Sequence, residues 1–241
     1  MPALLPSLID VRDNVEIVRE RIVEILAVEI ADQKAKAVAA GKDPRLWDVK
    51  LFMERQNPWE LFLEVQGKKT IEITPFVNVA YDQDSPEKTR SSSLQIPTTA
   101  TFNIDIYAAG VSEETPTGHI PGDEAAVLAR DRVRRLVRNI LMAEPYRTLG
   151  DPPSSIDRET GEVAYARVIA DRWIRATTAF EVPSEARLLV KIAACRIAFE
   201  VSFREGVPVR PGVSLAGIQT ALRRGPDGSL TYFEADFSTT P

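Results

Sequence analysis

A single histidine and a single cysteine leave the chain almost nothing for imidazole, thiolate or soft-metal chemistry. One cysteine excludes an internal disulfide. Cys195 stands in the apolar run "LLVKIAACRIAF", where a thiol reads as a small buried hydrophobe rather than a nucleophile. His119 lies in the loop "VSEETPTGHIPG" without partners at ligand spacing, so no zinc centre of the usual kind is expected. A Ser-His-Asp or Cys-His arrangement would have to recruit that one residue. The nucleophile elbow G-x-S-x-G is missing, and so are the phosphate-cradling loops G-x-x-x-x-G-K-[ST] and G-x-G-x-x-G. No metal and no cofactor are expected. No apolar run approaches ~18 residues, and the opening residues lack a basic stretch followed by an apolar one. Neither a membrane span nor a secretion signal is expected, and the chain reads as made for a reducing cytoplasm.

What is present belongs to a folded protein: 44% hydrophobic and 27% charged residues over 241 positions. A net charge of −5 gives the whole molecule no pull on nucleic acid. The cations are unevenly placed. Seven of eight lysines precede residue 89, whereas sixteen of twenty-two arginines lie at or after residue 130. Arginine forks suit carboxylate partners and interfaces better than lysine does.

Periodicity predicts the elements. In "SLIDVRDNVEIVRERIVEILAVEIADQKAKAVAAG", Val11, Val15, Val18, Ile22, Ile25 and Leu26 recur at helical spacing, with Asp10 or Asp13 to cap the start and Gly41 to end it. "LWDVKLFME", Leu46 to Glu54, reads as a strand. "NPWELF" reads as a one-turn helix start, with Asn57 as N-cap and Pro58 at the first helical position. Ile71, Ile73, Val77, Val79 and Tyr81 form a strand interrupted by Pro75, hence an edge, a bulge or a register change. After the polar stretch Asp82 to Ser92, "TATFNIDIYAAG" alternates Phe102, Ile104 and Ile106 against Thr101, Asn103, Asp105 and Tyr107, which predicts a half-buried strand. The two strands make a long antiparallel hairpin.

Asp123 reads as the N-cap of a second helix that stops before Pro145. Ala126, Ala129, Val133, Leu136, Val137 and Ile140 share one third of its wheel, and Arg130, Arg134, Arg135 and Arg138 lie on another side. That arginine face is either a solvated stripe or an interface, with an acidic neighbour or along a channel that DNA crosses. Val163 to Asp171 alternate weakly as a twisted strand, Pro183 and Ser184 open a short helix, and "RIAFEVSFREG" is a strong strand. Beyond the linker "VPVRPG", "SLAGIQTALRR" and "SLTYFEADF" flank the turn "GPDG" as a hairpin arm. Leu222, Leu230, Tyr232, Phe233 and Phe237 give the arm more apolar area than a free hairpin exposes, so it is expected to pack on a neighbouring chain. The carboxylates Glu113, Glu114, Asp123 and Glu124 flank the His119 loop; acid/base hydrolysis is the alternative they support, against a solvated loop and helix N-terminus.

The order of elements resembles the tail terminator and neck proteins of long-tailed bacteriophages. The matching motifs are "NPWELF" after the first strand, "PFVNVAYD" opening the hairpin and "TFNIDIYA" closing it. "YRTLG" after the second helix and the V-x-F-x-E-x-x-P form of "VSFREGVP" complete them. The resemblance spans roughly residues 10 to 208, and the arm from about residue 211 departs from it. It implies an α+β fold, with one mixed, largely antiparallel sheet flanked by two main helices. The expected domains are residues 1–210 and the hairpin arm 211–241. It further implies a non-enzymatic virion protein, assembled in the host cytoplasm as a homo-oligomeric ring, a hexamer, at the head-to-tail junction. As a tail terminator it would cap the tail tube, meet sheath subunits and dock the capsid connector or portal-side neck proteins. Genomic DNA would pass through the lumen without sequence-specific binding, and no membrane would be involved. A neck collar or gateway protein is the alternative within this class; a carboxylate-dependent hydrolase is the alternative from another.

Overall fold

The computed structural model describes residues 13–64, 74–86, 95–115, 118–150, 169–182, 190–206, 218–224 and 230–237. The chain divides into two compact units, Arg12–Gly206 and a smaller one formed by Met1–Val11 with Val207–Pro241.

The larger unit is an α+β body. Its five-stranded mixed sheet has the order β1-β2-β3-β7-β6, from β1 (Lys50–Met53), β2 (Phe76–Pro86), β3 (Gln95–Gly110), β7 (Lys191–Gly206) and β6 (Ile169–Phe180). β1 runs parallel to β2, and every other pair in this sheet is antiparallel. Two long helices, α1 (Asn14–Ala39) and α3 (Gly122–Leu141), cover one face: α1 lies over β1 and β2, and α3 over β3 and β7. Val18, Ile22, Leu26, Val133 and Val137 interleave there with Ile104, Ile197 and Phe199. Each such side chain contributes about 1.5–3 kcal/mol by leaving water.

Local chemistry explains the helix ends. Asp13, rather than Asp10, caps α1 by accepting the Val15 N–H at 3.0 Å, and Gly41 follows the last turn at φ +68°, a conformation that favours glycine. Asp123 does not cap α3. The helix begins one residue earlier, and the Gly122 N–H donates to the Ser112 hydroxyl at 3.1 Å, so Asp123 and Glu124 sit in the first turn where the helix dipole favours them. At the far end, the buried Arg172 of β6 donates to the carbonyls of Leu141 and Ala143, satisfying groups that the end of α3 leaves open. Burial pulls its guanidinium pKa below the usual value.

Three local expectations are corrected. Leu46 to Glu54 is not strand throughout: Pro44–Trp47 is a 3-10 turn, started by Asp43 accepting the Arg45 N–H, and the strand is Lys50–Met53. Asn57 does not serve as a side-chain N-cap; it takes φ +45° and its carbonyl accepts the Glu60 N–H at 3.1 Å, ahead of the short α2 (Glu60–Glu64). Pro75 does not interrupt β2, which begins at the next residue; its carbonyl accepts the Lys50 N–H, and the register shift comes later, between Tyr81 and Gln83. Ile71, Ile73, Val163 to Arg167 and the helix expected at Pro183 and Ser184 lie outside the described residues.

β3 is buried on both faces, not half-buried. Asn103, Asp105 and Tyr107 are buried, as are Phe102, Ile104 and Ile106. One end of the second face is roofed by aromatic rings: Phe62 of α2 stands 4.9 Å from Phe76, Phe76 stacks on Tyr107 at 4.9 Å, and Trp59 lies 6.2 Å from Tyr107. In the middle, Arg196 clasps Asp105 with two bonds of 2.7 and 2.8 Å. Strand alternation alone does not reveal such a cover, because it comes from residues distant in sequence.

The entry to α3 fixes a testable constraint. A Cβ on Gly110, at the end of β3, would stand 2.3 Å from the Gly122 carbonyl oxygen and 2.5 Å from the Ala126 nitrogen. Gly110→Ala should therefore push α3 off the sheet and destabilise the body by about 1–3 kcal/mol. A thermal unfolding midpoint lowered by several degrees is the expected result; an unchanged midpoint contradicts the close approach.

Candidate assembly interface

Among the described residues β6 pairs only with β7, and Arg175, Ala176, Thr177, Thr178 and Ala179 are exposed on both faces of the strand. Edge strands normally carry lysine, proline or a short length to discourage pairing with another chain. Here a 12-residue strand carries four uncharged residues of small side chain, Ala176–Ala179, ahead of its last residue Phe180, with Arg175 at an irregularity just before them and paired with Glu200 at 3.4 Å. Trp173 on the same strand is 37% exposed. The run "RATTAF" is the sequence signal that reasoning from periodicity passed over.

α3, which lies over β3 and β7, carries the arginines. At 100° per residue, Arg130, Arg134 and Arg138 fall on the side opposite Leu136 and Arg132, which face α1 across a groove. The four arginines singled out in the sequence therefore do not act as one patch. Arg130 and Arg134 are largely covered and pair with Asp131 at 3.0 and 3.6 Å. Arg138 is exposed. Arg135 turns toward the α1–α3 groove, a space of about 550 Å³ that Trp47, Gln33, Arg132 and Asn139 also line. Trp47 and Arg132 were not anticipated; a tryptophan inside a proline-led turn was the available hint.

The carboxylates around His119 are also placed. Glu113–Thr115 (β4) and Gly118–Ile120 (β5) form a small hairpin in which Glu114 is opposite His119, their side chains bonded at 2.7 Å. Glu114, His119, Asp123 and Glu124 are all exposed. No group of three or more potential metal ligands occurs among the described residues.

"YRTLG" has a packing role. Tyr146 donates to Glu29 of α1, Arg21 donates to the Leu149 carbonyl at 2.8 Å, and Leu149 is fully buried at φ +51°. The motif straps the end of α3 to α1.

In the smaller unit, β8 (Ile218–Arg224) and β9 (Leu230–Phe237) form an antiparallel hairpin. Its register pairs Ile218 with Phe237, Thr220 with Ala235, Leu222 with Phe233 and Arg223 with Tyr232. Leu230 pairs with Arg224 past an irregularity. The turn "GPDG" itself lies outside the described residues.

No protein-family model and no curated protein sequence matches this chain.

The lone cysteine gives a clean check on the body. Cys195 is buried on β7, and burial pushes its thiol pKa up to about 11. The direction matters: raising the pKa favours the neutral thiol, so at pH 8 only about one molecule in a thousand carries thiolate. Cys195 should resist a thiol-specific disulfide reagent at pH 8 until denaturant is added. Rapid labelling of the native protein would contradict the burial.

Proposed function

We propose that this protein is a structural virion component that self-assembles into a ring at the head-to-tail junction of a long-tailed bacteriophage, foremost as the tail terminator. The observation that carries self-assembly is the β6 border: an exposed, uncharged stretch, Ala176–Ala179, on a body whose helices lie over the other strands. An exposed edge of this kind is a liability for a monomer and a joint for a subunit. The assignment to the head-to-tail junction rests on the element order and motifs that resemble the terminator and neck proteins. A neck collar or gateway ring would use the same surfaces.

In this reading the protein acts by geometry rather than by chemistry. Repeated copies close into a ring, the ring blocks further addition of tail-tube subunits, and its other face meets the connector. Exposed arginine such as Arg138 serves either a subunit joint or the lumen through which DNA passes, where positive charge attracts phosphate without reading bases. The β8–β9 hairpin is a further contact surface, since a two-stranded sheet is marginal on its own in water.

Two measurements test the reading. Electron micrographs and light-scattering mass of the purified protein should show rings, with six copies as the expected number; a monomer at all accessible concentrations contradicts it. Reversing Arg130, Arg134 and Arg138 together to glutamate should cost little folding stability beyond the local Asp131 pairs, about 1 kcal/mol, yet reduce ring yield or DNA passage. Normal virion yield and normal DNA ejection from that variant would make the stripe a solvated one.

A further inference from the structure

We propose that the groove between α1 and α3 receives a short acidic segment of a partner protein, whose carboxylates are clasped by Arg132 and Arg135. The site lies within one copy, so it stands or falls apart from the ring reading. Arg132 and Arg135 are one turn apart on α3, and both line the groove. Neither makes an ion pair or a side-chain hydrogen bond among the described residues. Asp131, four residues before Arg135, is engaged by Arg130 and Arg134 instead. Across the groove, Glu29 of α1 accepts the Tyr146 hydroxyl. The charges next to Gln33 and Trp47 in sequence are paired already, Lys34 with Asp48 and Asp32 with Lys36. Two like charges one turn apart repel each other, and an anion bound between them relieves that repulsion.

Size and lining select the occupant. A space of about 550 Å³ holds a few side chains of a peptide, not a DNA duplex. Leu136 and the buried Ile140 give it apolar surface, and the half-buried Trp47 adds a ring against which an aliphatic stem can lie. Gln33 and Asn139 bring amides able to donate to and accept from a peptide backbone. Each guanidinium fork matches one carboxylate with two parallel bonds. Side chains one turn apart on a helix have Cβ atoms about 5–6 Å apart, and those two residues apart on an extended segment project to one face about 7 Å apart. A Glu-x-Glu segment therefore suits the pair. Nucleic acid suits it less. Glu29 would meet phosphates as a like charge, and the net charge of −5 repels a long polyanion.

Titration of fluorotryptophan-labelled full chain, followed by fluorine NMR, tests the site with two probes: a capped Gly-Glu-Ser-Glu-Gly peptide and a short DNA duplex. Of the three tryptophan signals, the one that Trp47→Phe removes should move with the peptide, and those of Trp59 and Trp173 should not. A peptide with glutamine in place of both glutamates should move none. Arg132→Gln/Arg135→Gln keeps the side-chain stems and removes both charges. It should weaken binding at least about tenfold, with the thermal midpoint unchanged or raised. Lys191→Ala, a change at an exposed lysine of β7, should leave binding as it is, which excludes diffuse attraction. The proposal is overturned if the Trp47 signal stays still or the glutamine peptide moves it equally. It is also overturned if the arginine variant binds as well as the unaltered protein, or if the duplex binds there more tightly than the peptide. Rings without a peptide shift overturn the groove alone; a monomer with a shifted Trp47 signal overturns the ring alone.

Discussion

Sixteen consecutive residue pairs join β3 to β7, from Gln95–Gly206 to Gly110–Lys191, and the rest of the body is positioned by that ladder. It supplies the floor on which α3 lies, and through Phe102, Ile104, Ile197 and Phe199 it provides the central layer of the core. Its long reach in sequence explains why the second face of β3 is enclosed. Asp105 and Arg196 are 91 residues apart, yet opposite each other in register. The carboxylate is 7% exposed and would be left without its compensating charge if Arg196 were lost. The guanidinium is raised above its usual pKa first by that bond, and it also stands 5.7 Å over the Phe180 ring. One ion pair thus ties three strands at the middle of a polar face.

The ladder also determines what is left uncovered. Helices pack where the sheet is flat enough and apolar enough to receive them, and α1 and α3 occupy the four strands from β1 to β7. β6 is held through its near end, where Arg172 reaches the last carbonyls of α3 and Ile169 enters the core. Its far end is held by Phe180, edge-on to Tyr107 at 5.7 Å, and between the two anchors Arg175–Ala179 are exposed. Ala176–Ala179 are exposed and include neither lysine nor proline, the usual deterrents to edge pairing, which is why the proposed assembly places its joint there. The ring reading and the stability of the fold therefore meet at the same strand.

Much of this architecture was legible before the structure. The helical period from Val15 to Leu26 and the alternation from Ile197 to Phe203 identified α1 and β7, because each element buries one face against the core and the pattern survives in sequence. Leu46–Glu54 and Asn57 were misread because short turns are decided by single caps and one backbone angle, which periodicity does not report. The burial of Asn103 and Asp105 was illegible for a different reason: it depends on partners far along the chain. The arginines of α3 were correctly placed on the helix but grouped too simply, since Asp131 occupies two of them and Arg135 faces the α1 groove. The β6 border had a signal in "RATTAF", but only the sheet order reveals that this run is an edge.

The central claim is that β6 is an open joint in the isolated chain and a paired strand in the assembly. Amide hydrogen exchange, followed peptide by peptide in dilute and in assembled protein, tests it most directly. The account predicts slow exchange for Phe102–Ala108 and Ala194–Val201 in both states. It predicts that amides of Arg175–Ala179 exchange at least about tenfold more slowly once the protein assembles. Equal, rapid exchange of those amides in both states would show that the border remains free, and would contradict the account.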